Sequence, residues 1–159
     1  MIHAILAVDE AWGIGHKGEL PWPKNAADLK WFKETTLNCA VVMGRGTWDG
    51  GMPKPLPKRR NIVITNNPIE GVECYTLDKF KSMYNLIQQN VWIIGGAQLI
   101  ASTIDIVEEI WLSRISGVYE CDTFFPKDLI LEKFELYERY FDGTLTTEKY
   151  RRNPNETIS

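Results

Sequence analysis

The chain has 159 residues, 44% of them hydrophobic and 25% charged, with a formal net charge of -3. That length and balance suit one domain with a core of its own. The sequence pI of about 5.5 argues against a general nucleic-acid binder, which carries a basic face, and no apolar run approaches the roughly 20 residues that a membrane-spanning helix needs.

The chain opens on "IHAILAV", an apolar run closed by Asp9 and Glu10, which reads as a buried strand. No basic segment precedes it, so it does not read as a signal peptide. "DEAWGIGHKGELPWPKN" follows, with three glycines and two prolines; a loop of that length inside a small domain is often functional. A helix is expected over 26–36, in "KNAADLKWFKETT". "CAVVMG" reads as a second buried strand running into a short helical turn at "RGTWDGG". "MPKPLPKRR" is an irregular, proline-stiffened loop.

"NIVIT" is a third strand, ended by the turn signal "NNP", and "ECYT" a short fourth. "LDKFKSMYNLIQQ" puts Phe80, Met83, Tyr84 and Ile87 at i, i+3, i+4 and i+7, the stripe of an amphipathic helix, with Asp78 as the expected N-cap. "VWIIGG" is a fifth strand, "AQLIASTI" a short helix and "EEIWLSRI" a further strand. "FELYERYF" and "TTEKYRR" alternate polar and apolar residues around "DGT", a hairpin signal. Strand and helix alternate through the first two-thirds, which implies parallel pairing by right-handed crossovers. The expected architecture is a single α/β domain over 1–159: a mostly parallel twisted sheet, flanking helices and an antiparallel C-terminal hairpin.

The cysteines Cys39, Cys74 and Cys121 form no Cys-x-x-Cys pair, so neither zinc nor a redox motif is indicated. Free thiols fit a reducing compartment, and the cytoplasm is the expected location. No histidine or carboxylate cluster has metal-ligand spacing, so no metal is expected.

Two strands run through glycine into a helix start, at Gly44–Thr47 and at Gly95–Gln98. Each is either a tight βα turn or a place where backbone approaches a phosphate. Two in one small chain favour a dinucleotide, with Arg45 suited to an extra phosphate. In "PLPKRRN", the basic run is either solvated surface or a held arginine suited to a carboxylate. Asp28 also has two readings. It can be a first-turn acid offsetting the helix dipole. It can also share a face with Phe32, flanked by Leu29, as a lone acid in an apolar pocket whose raised pKa suits proton transfer.

The ordered set "AILAVDEAWGIG", "LPW", "ADLKWFKETT", "VVMGRGTW", "PLPKRRNIVIT", "VWIIGGAQL" and "CDTFFP" closely resembles dihydrofolate reductase and spans nearly the whole chain. The resemblance implies NADPH-dependent reduction of dihydrofolate by a monomer, with no nucleic-acid or membrane partner. Asp28 would be the single ionisable active-site group, Trp22 would help hold a proton-relay water, and Leu20, with Ile14 and Gly15, would belong to the lid over the nicotinamide. The pterin and benzoyl pocket would be lined by Ile5, Leu29, Phe32, Met52, Leu56 and Ile94. Ser113, in place of the usual threonine, would stand behind the acid. Arg59, the arginine of "PLP-x-R", would clamp the substrate's α-carboxylate. The cofactor would meet Ala7, Gly44, Arg45, Gly46, Thr47, Thr65, Asn66, Gly95, Gly96, Ala97, Gln98, Leu99 and Thr123, with Ile94 shared.

This chain departs from the family's pattern in several places. Gln98 and Ile100 replace an often basic and an often aromatic residue, Asn66 stands where a small hydroxyl is usual, and the loops before Leu29 and Leu56 are each one residue longer. A reductase of ribosylamino-pyrimidines shares the fold and the glycine turns but lacks the "ADLKWF" acid and the "PLP-x-R" arginine. A catalytically silent nucleotide-binding or structural domain is the third reading.

Overall fold

The computed structural model describes residues 1–17, 20–50 and 52–154. Gly18 and Glu19 of the long loop, Gly51 of the proline-rich connection and residues 155–159 of the expected domain lie outside that description. The first apolar run forms β1 (Ile2–Val8), and "GIG" in the long loop forms β2 (Gly13–Gly15). Helix α1 (Ala26–Thr36) has the expected bounds. Then come β3 (Ala40–Gly44), the single-turn helix α2 (Arg45–Asp49), β4 (Arg60–Ile64) and β5 (Glu73–Tyr75). Helix α3 (Leu77–Met83) leads to β6 (Val91–Gly95), α4 (Ala97–Ser102) and β7 (Glu109–Arg114). The chain continues through β8 (Thr123–Phe124) and α5 (Lys127–Lys133) to the hairpin of β9 (Phe134–Phe141) and β10 (Thr146–Arg152).

Eight strands form one sheet in the order β5-β4-β3-β6-β1-β7-β10-β9. Every pair from β5 to β7 is parallel, while β7–β10 and β10–β9 are antiparallel. The near-continuous apolar runs in β1, β3 and β6 follow from burial on both faces. Successive side chains of β3 point to opposite faces. Ala40 and Val42 enter the main core with Ile62, Phe80, Ile93, Ile110 and Leu112. Val41 and Met43 enter a second cluster with Trp48, Leu56 and Val63. A third, smaller cluster of Trp22, Ile115 and Leu145 lies under Ala27 and Trp31 of α1.

Three local features differ from the sequence reading. Thr76, not Asp78, caps α3: its side chain accepts from the Lys79 amide, and Asp78 lies in the first turn, favourable to the dipole. The expected single helix breaks at Met83 into a 3-10 turn over Tyr84–Leu86, although Phe80, Met83, Tyr84 and Ile87 all still pack on the main core. The long loop is also not structureless, because β2 pairs with β8 in a separate two-stranded sheet.

Candidate active site

Asn25 caps α1, its side-chain oxygen accepting from the Asp28 amide at 3.0 Å. With the helix end already satisfied, the Asp28 carboxylate turns inward. It is 8% exposed, and one oxygen accepts a 2.5 Å hydrogen bond from Ser113 Oγ on β7. Burial pushes the Asp28 carboxyl above the ordinary aspartate range, while the Ser113 bond acts the other way. The net direction is up, so burial outweighs the Ser113 bond. A carboxyl poised in that sense can exchange a proton nearer neutral pH.

Trp22 is 5% exposed, and its Nε1 is a buried donor with no protein partner. Buried donors are normally satisfied, by protein or by ordered water, so this atom fits a water-holding role. On the next turn of α1, Phe32 packs on the cluster of Val41, Met43, Leu56 and Val63, and the same cluster gathers Met52 and Ile94. The structure thus brings Phe32, Met52, Leu56 and Ile94 together. Leu29 is 38% exposed at the side of this stripe. Ile5 is buried in β1, in register with Trp111.

Arg59 is held on two sides. Its Nε donates to the Pro57 carbonyl at 3.0 Å and its Nη1 to Thr36 Oγ1 at 3.1 Å. Thr36, the last residue of α1, is fully buried and donates back to the Phe32 carbonyl at 2.8 Å. Desolvation lowers the Arg59 pKa from its ordinary value, yet an arginine stays charged at any physiological pH. Its remaining N–H groups are those suited to a carboxylate.

The two glycine turns come side by side because β3 and β6 are neighbours. A side-chain carbon on Gly44 would lie 3.9 Å from the Gly95 carbonyl oxygen and the Gly96 nitrogen. Gly95, at φ 143°, holds a conformation suited to glycine, and a Cβ there would press on Thr47 Oγ1 at 3.2 Å. Above Gly46 nothing lies within 4 Å. The pair forms a backbone-lined platform that a dinucleotide's phosphates can approach. Arg45 stands exposed at its rim, its Nε bound to both Asp49 oxygens at 3.2 and 3.0 Å and its Nη1 to the Asn67 carbonyl at 3.5 Å. Thr65 Oγ1 accepts from the Asn67 amide in the same turn, where Asn66 is exposed.

Other expected cofactor residues are spread wider. Ala7 packs on the Trp22 cluster, Ile14 packs on the main core, and Leu20 is 54% exposed. Gly15 pairs with Thr123. Ala97 is half-buried and Gln98 exposed, both in the first turn of α4, and Leu99 points into the main core. Among the described residues no cluster of His, Cys, Asp or Glu could hold a metal ion, and no helix is long and apolar enough to cross a membrane.

Two supporting residues escaped the sequence reading. Asp9 is fully buried and accepts from the amides of Ala11, Gly13 and Tyr119, tying the loop after β1 to the loop after β7. Burial raises its pKa, but those backbone bonds win and hold it below the ordinary range. Arg114 lies 4.2 Å over the Trp12 ring in the loop after β1 while it pairs with buried Glu148. The one available signal for Asp9 was its place at the junction of an apolar strand and a glycine-rich loop.

A family model described as dihydrofolate reductase matches residues 1–153. A dihydrofolate reductase of Buchnera aphidicola is 35% identical over 130 residues, covering 79% of either chain. One from Staphylococcus aureus is 37% identical over 116 residues, 71% of this chain and 70% of its own. The solved structure of dihydrofolate reductase from Enterococcus faecalis, complexed with NADP(H) and a further ligand, is similar at a TM-score of 0.85 and 32% identity, covering 96% of each chain.

Proposed function

Since this chain belongs to the dihydrofolate reductase family, we propose that it reduces 7,8-dihydrofolate to 5,6,7,8-tetrahydrofolate with NADPH. The observation that carries the reading is Asp28: a buried carboxyl with a raised pKa, one turn from Phe32 and bound to Ser113. Its second oxygen is available to the amino group and ring nitrogen of a pterin. Trp22 Nε1 is available to a water that passes a proton toward N5.

Phe32, Met52, Leu56 and Ile94 supply the apolar wall for the pterin and benzoyl groups, with Ile5 and Leu29 at its sides. Arg59 takes the α-carboxylate. The residues fit the cofactor: Gly44, Gly46, Gly95 and Gly96 leave backbone open, Thr47 sits between the turns, and Arg45, Thr65 and Asn66 surround the place for a 2'-phosphate. Ala7, Ile14, Gly15, Leu20 and Thr123 would meet its nicotinamide end, and Ala97, Gln98 and Leu99 the second turn. NADPH, when bound, supplies a hydride for C6. The chain's own part is to orient both molecules, exclude water through the lid and hold the proton at Asp28.

The test follows NADPH absorbance with dihydrofolate, with and without an antifolate. Inhibitable oxidation is expected, and no oxidation overturns the reading. Oxidation that an antifolate leaves untouched would move the substrate away from the Asp28 pocket. Asp28→Asn should fold normally and lose roughly 10²–10⁴-fold in turnover at neutral pH.

A further inference from the structure

β7 presents Glu109, Trp111 and Ser113 on one face, while Ile110 and Leu112 enter the main core on the other. Two of those three meet α1. Ser113 donates to Asp28, and Trp111 stacks on Trp31, three residues further along the helix, with centroids 6.2 Å apart and planes 23° apart. Asp28 and Trp31 are i, i+3 and so lie on one side of α1. The helix therefore rests on β7 at two points, one polar and catalytic, the other aromatic.

The aromatic point is itself braced. Trp92 of β6 meets the Trp111 ring edge-on at 4.9 Å, and His3 of β1 tilts against Trp92 at 5.0 Å. Lys149 of β10 lies 4.0 Å over the Trp111 ring. Trp111 Nε1 donates to Glu109 Oε1 at 3.0 Å, and the same carboxylate accepts from the Tyr137 hydroxyl of β9. His3 also stacks on Trp111 at 6.5 Å, so strands from both sides of β7 fix the ring on which Trp31 stacks.

We propose that Trp111 and Trp31 are positioning residues for the catalytic carboxyl: their stack sets how closely α1 lies on β7, and with it the water exclusion around Asp28. The proposal rests on the reading of Asp28 given above. The geometry is specific because an aromatic pair holds a fixed separation that flexible aliphatic side chains do not. Of the charged groups on α1 near the stack, Lys30 and Glu34 are exposed and pair with each other. His3, Glu109, Tyr137 and Lys149 are titratable groups at the stack from β1, β7, β9 and β10, with Glu138 of β9 paired to Lys149 at 3.1 Å. The Asp28 carboxyl itself responds to burial and to Ser113.

The decisive measurement is a carbon-13 NMR titration of the Asp28 carboxyl in the full-length chain without ligands, assigned by the signal that Asp28→Asn removes. Trp111→Leu should lower the midpoint toward the ordinary aspartate value, as water reaches the carboxyl. Trp111→Phe, which keeps a ring, should restore most of the wild-type midpoint. Ile110→Val, on the opposite face of the same strand, should leave it in place. Trp31→Phe should give a smaller fall and decides the matter if Trp111→Leu does not fold. An unmoved or raised midpoint in Trp111→Leu, or in Trp31→Phe where Trp111→Leu does not fold, overturns the proposal, and so does an equal fall in Ile110→Val. The outcome is separable from the functional reading, because this titration needs no substrate and no turnover. In turnover, the pH profile should move with the NMR midpoint, whereas a merely structural role would lower the rate equally at every pH.

Discussion

Ser113 Oγ donates to Asp28 Oδ1 at 2.5 Å, joining β7 to the first turn of α1 across 85 positions of chain. The bond stabilises the ionised carboxylate and opposes the upward push of burial. Removing it therefore raises the Asp28 pKa further. Ser113→Ala should shift the pH profile of turnover to higher pH, and Ser113→Thr should keep it. The shift is read from steady-state rates between pH 5 and 9. A profile that moves to lower pH in Ser113→Ala would show that the hydroxyl acts on Asp28 in another way.

Arg59 and Thr36 form the second such relationship, 23 positions apart. Arg59→Lys keeps the charge but loses the planar fork that fits a carboxylate. The expected loss is about 1.5–3 kcal/mol, roughly 10- to 150-fold in KM for dihydrofolate, with kcat little changed. Thr36→Val frees the guanidinium to swing, and a smaller rise in KM should follow. The check is a substrate lacking the glutamate tail, for which both variants should match the wild type.

The chain's local patterns carried much of this arrangement, and its long-range contacts did not. Buried runs such as "CAVVMG" and "VWIIGG" mark parallel strands because both faces are covered, and "DGT" marks the hairpin that β9 and β10 form. The bounds of α1 follow from its cap and its apolar stripe. By contrast, β2 and β8 are three and two residues long, too short for any period to show. Helix α5, in "KDLILEK", is seven residues long and lacks a side-chain cap, leaving only Pro126 and the first-turn Asp128 to mark its start. Thr76 and Asp78 are both competent caps, and only the backbone decides between them. Spacing alone left Asp28 with two readings. In the structure Asn25 caps the helix end, and Asp28 lies buried in the first turn, bound to Ser113.

Arg45 carries the expected discrimination between NADPH and NADH. Arg45→Ala should raise KM for NADPH at least about tenfold, in line with a lost charge-assisted contact, and leave NADH little affected. Asp49 occupies the Nε side of Arg45 at 3.0 Å, but this pair is exposed on both sides, so its own worth is about 0–1 kcal/mol. Asp49→Asn should accordingly change KM for NADPH less than about fivefold, and less again at high salt. Parallel titrations with the two cofactors decide the matter. Equal losses for NADPH and NADH in Arg45→Ala would remove Arg45 from the 2'-phosphate.

Glu148 of β10 is 2% exposed and accepts from Arg114 Nε at 2.7 Å, Arg139 Nη2 at 2.6 Å and the Tyr150 hydroxyl at 3.1 Å. Burial pushes its carboxyl up, but the two arginines outweigh burial and hold it below the ordinary glutamate range. A folded-state pKa below the unfolded one means that the carboxylate stabilises the fold above the unfolded value, near 4.3. That stabilisation drains away as the pH falls through the folded value. Glu148→Gln keeps the shape and removes the charge, leaving Arg114 poorly paired, whereas Arg139 is 62% exposed and can turn to water. The cost at pH 7 should be roughly 2–4 kcal/mol, near the low end for breaking a buried pair. It should shrink as the pH falls below the unfolded value, because the wild type's carboxylate then progressively loses its advantage. Urea midpoints of both proteins at pH 7 and pH 3.5 read this directly, and an equal gap at the two values would assign the acid sensitivity elsewhere. Because Arg114 also lies over Trp12, the same variant should loosen the loop after β1, seen as faster hydrogen exchange at its amides.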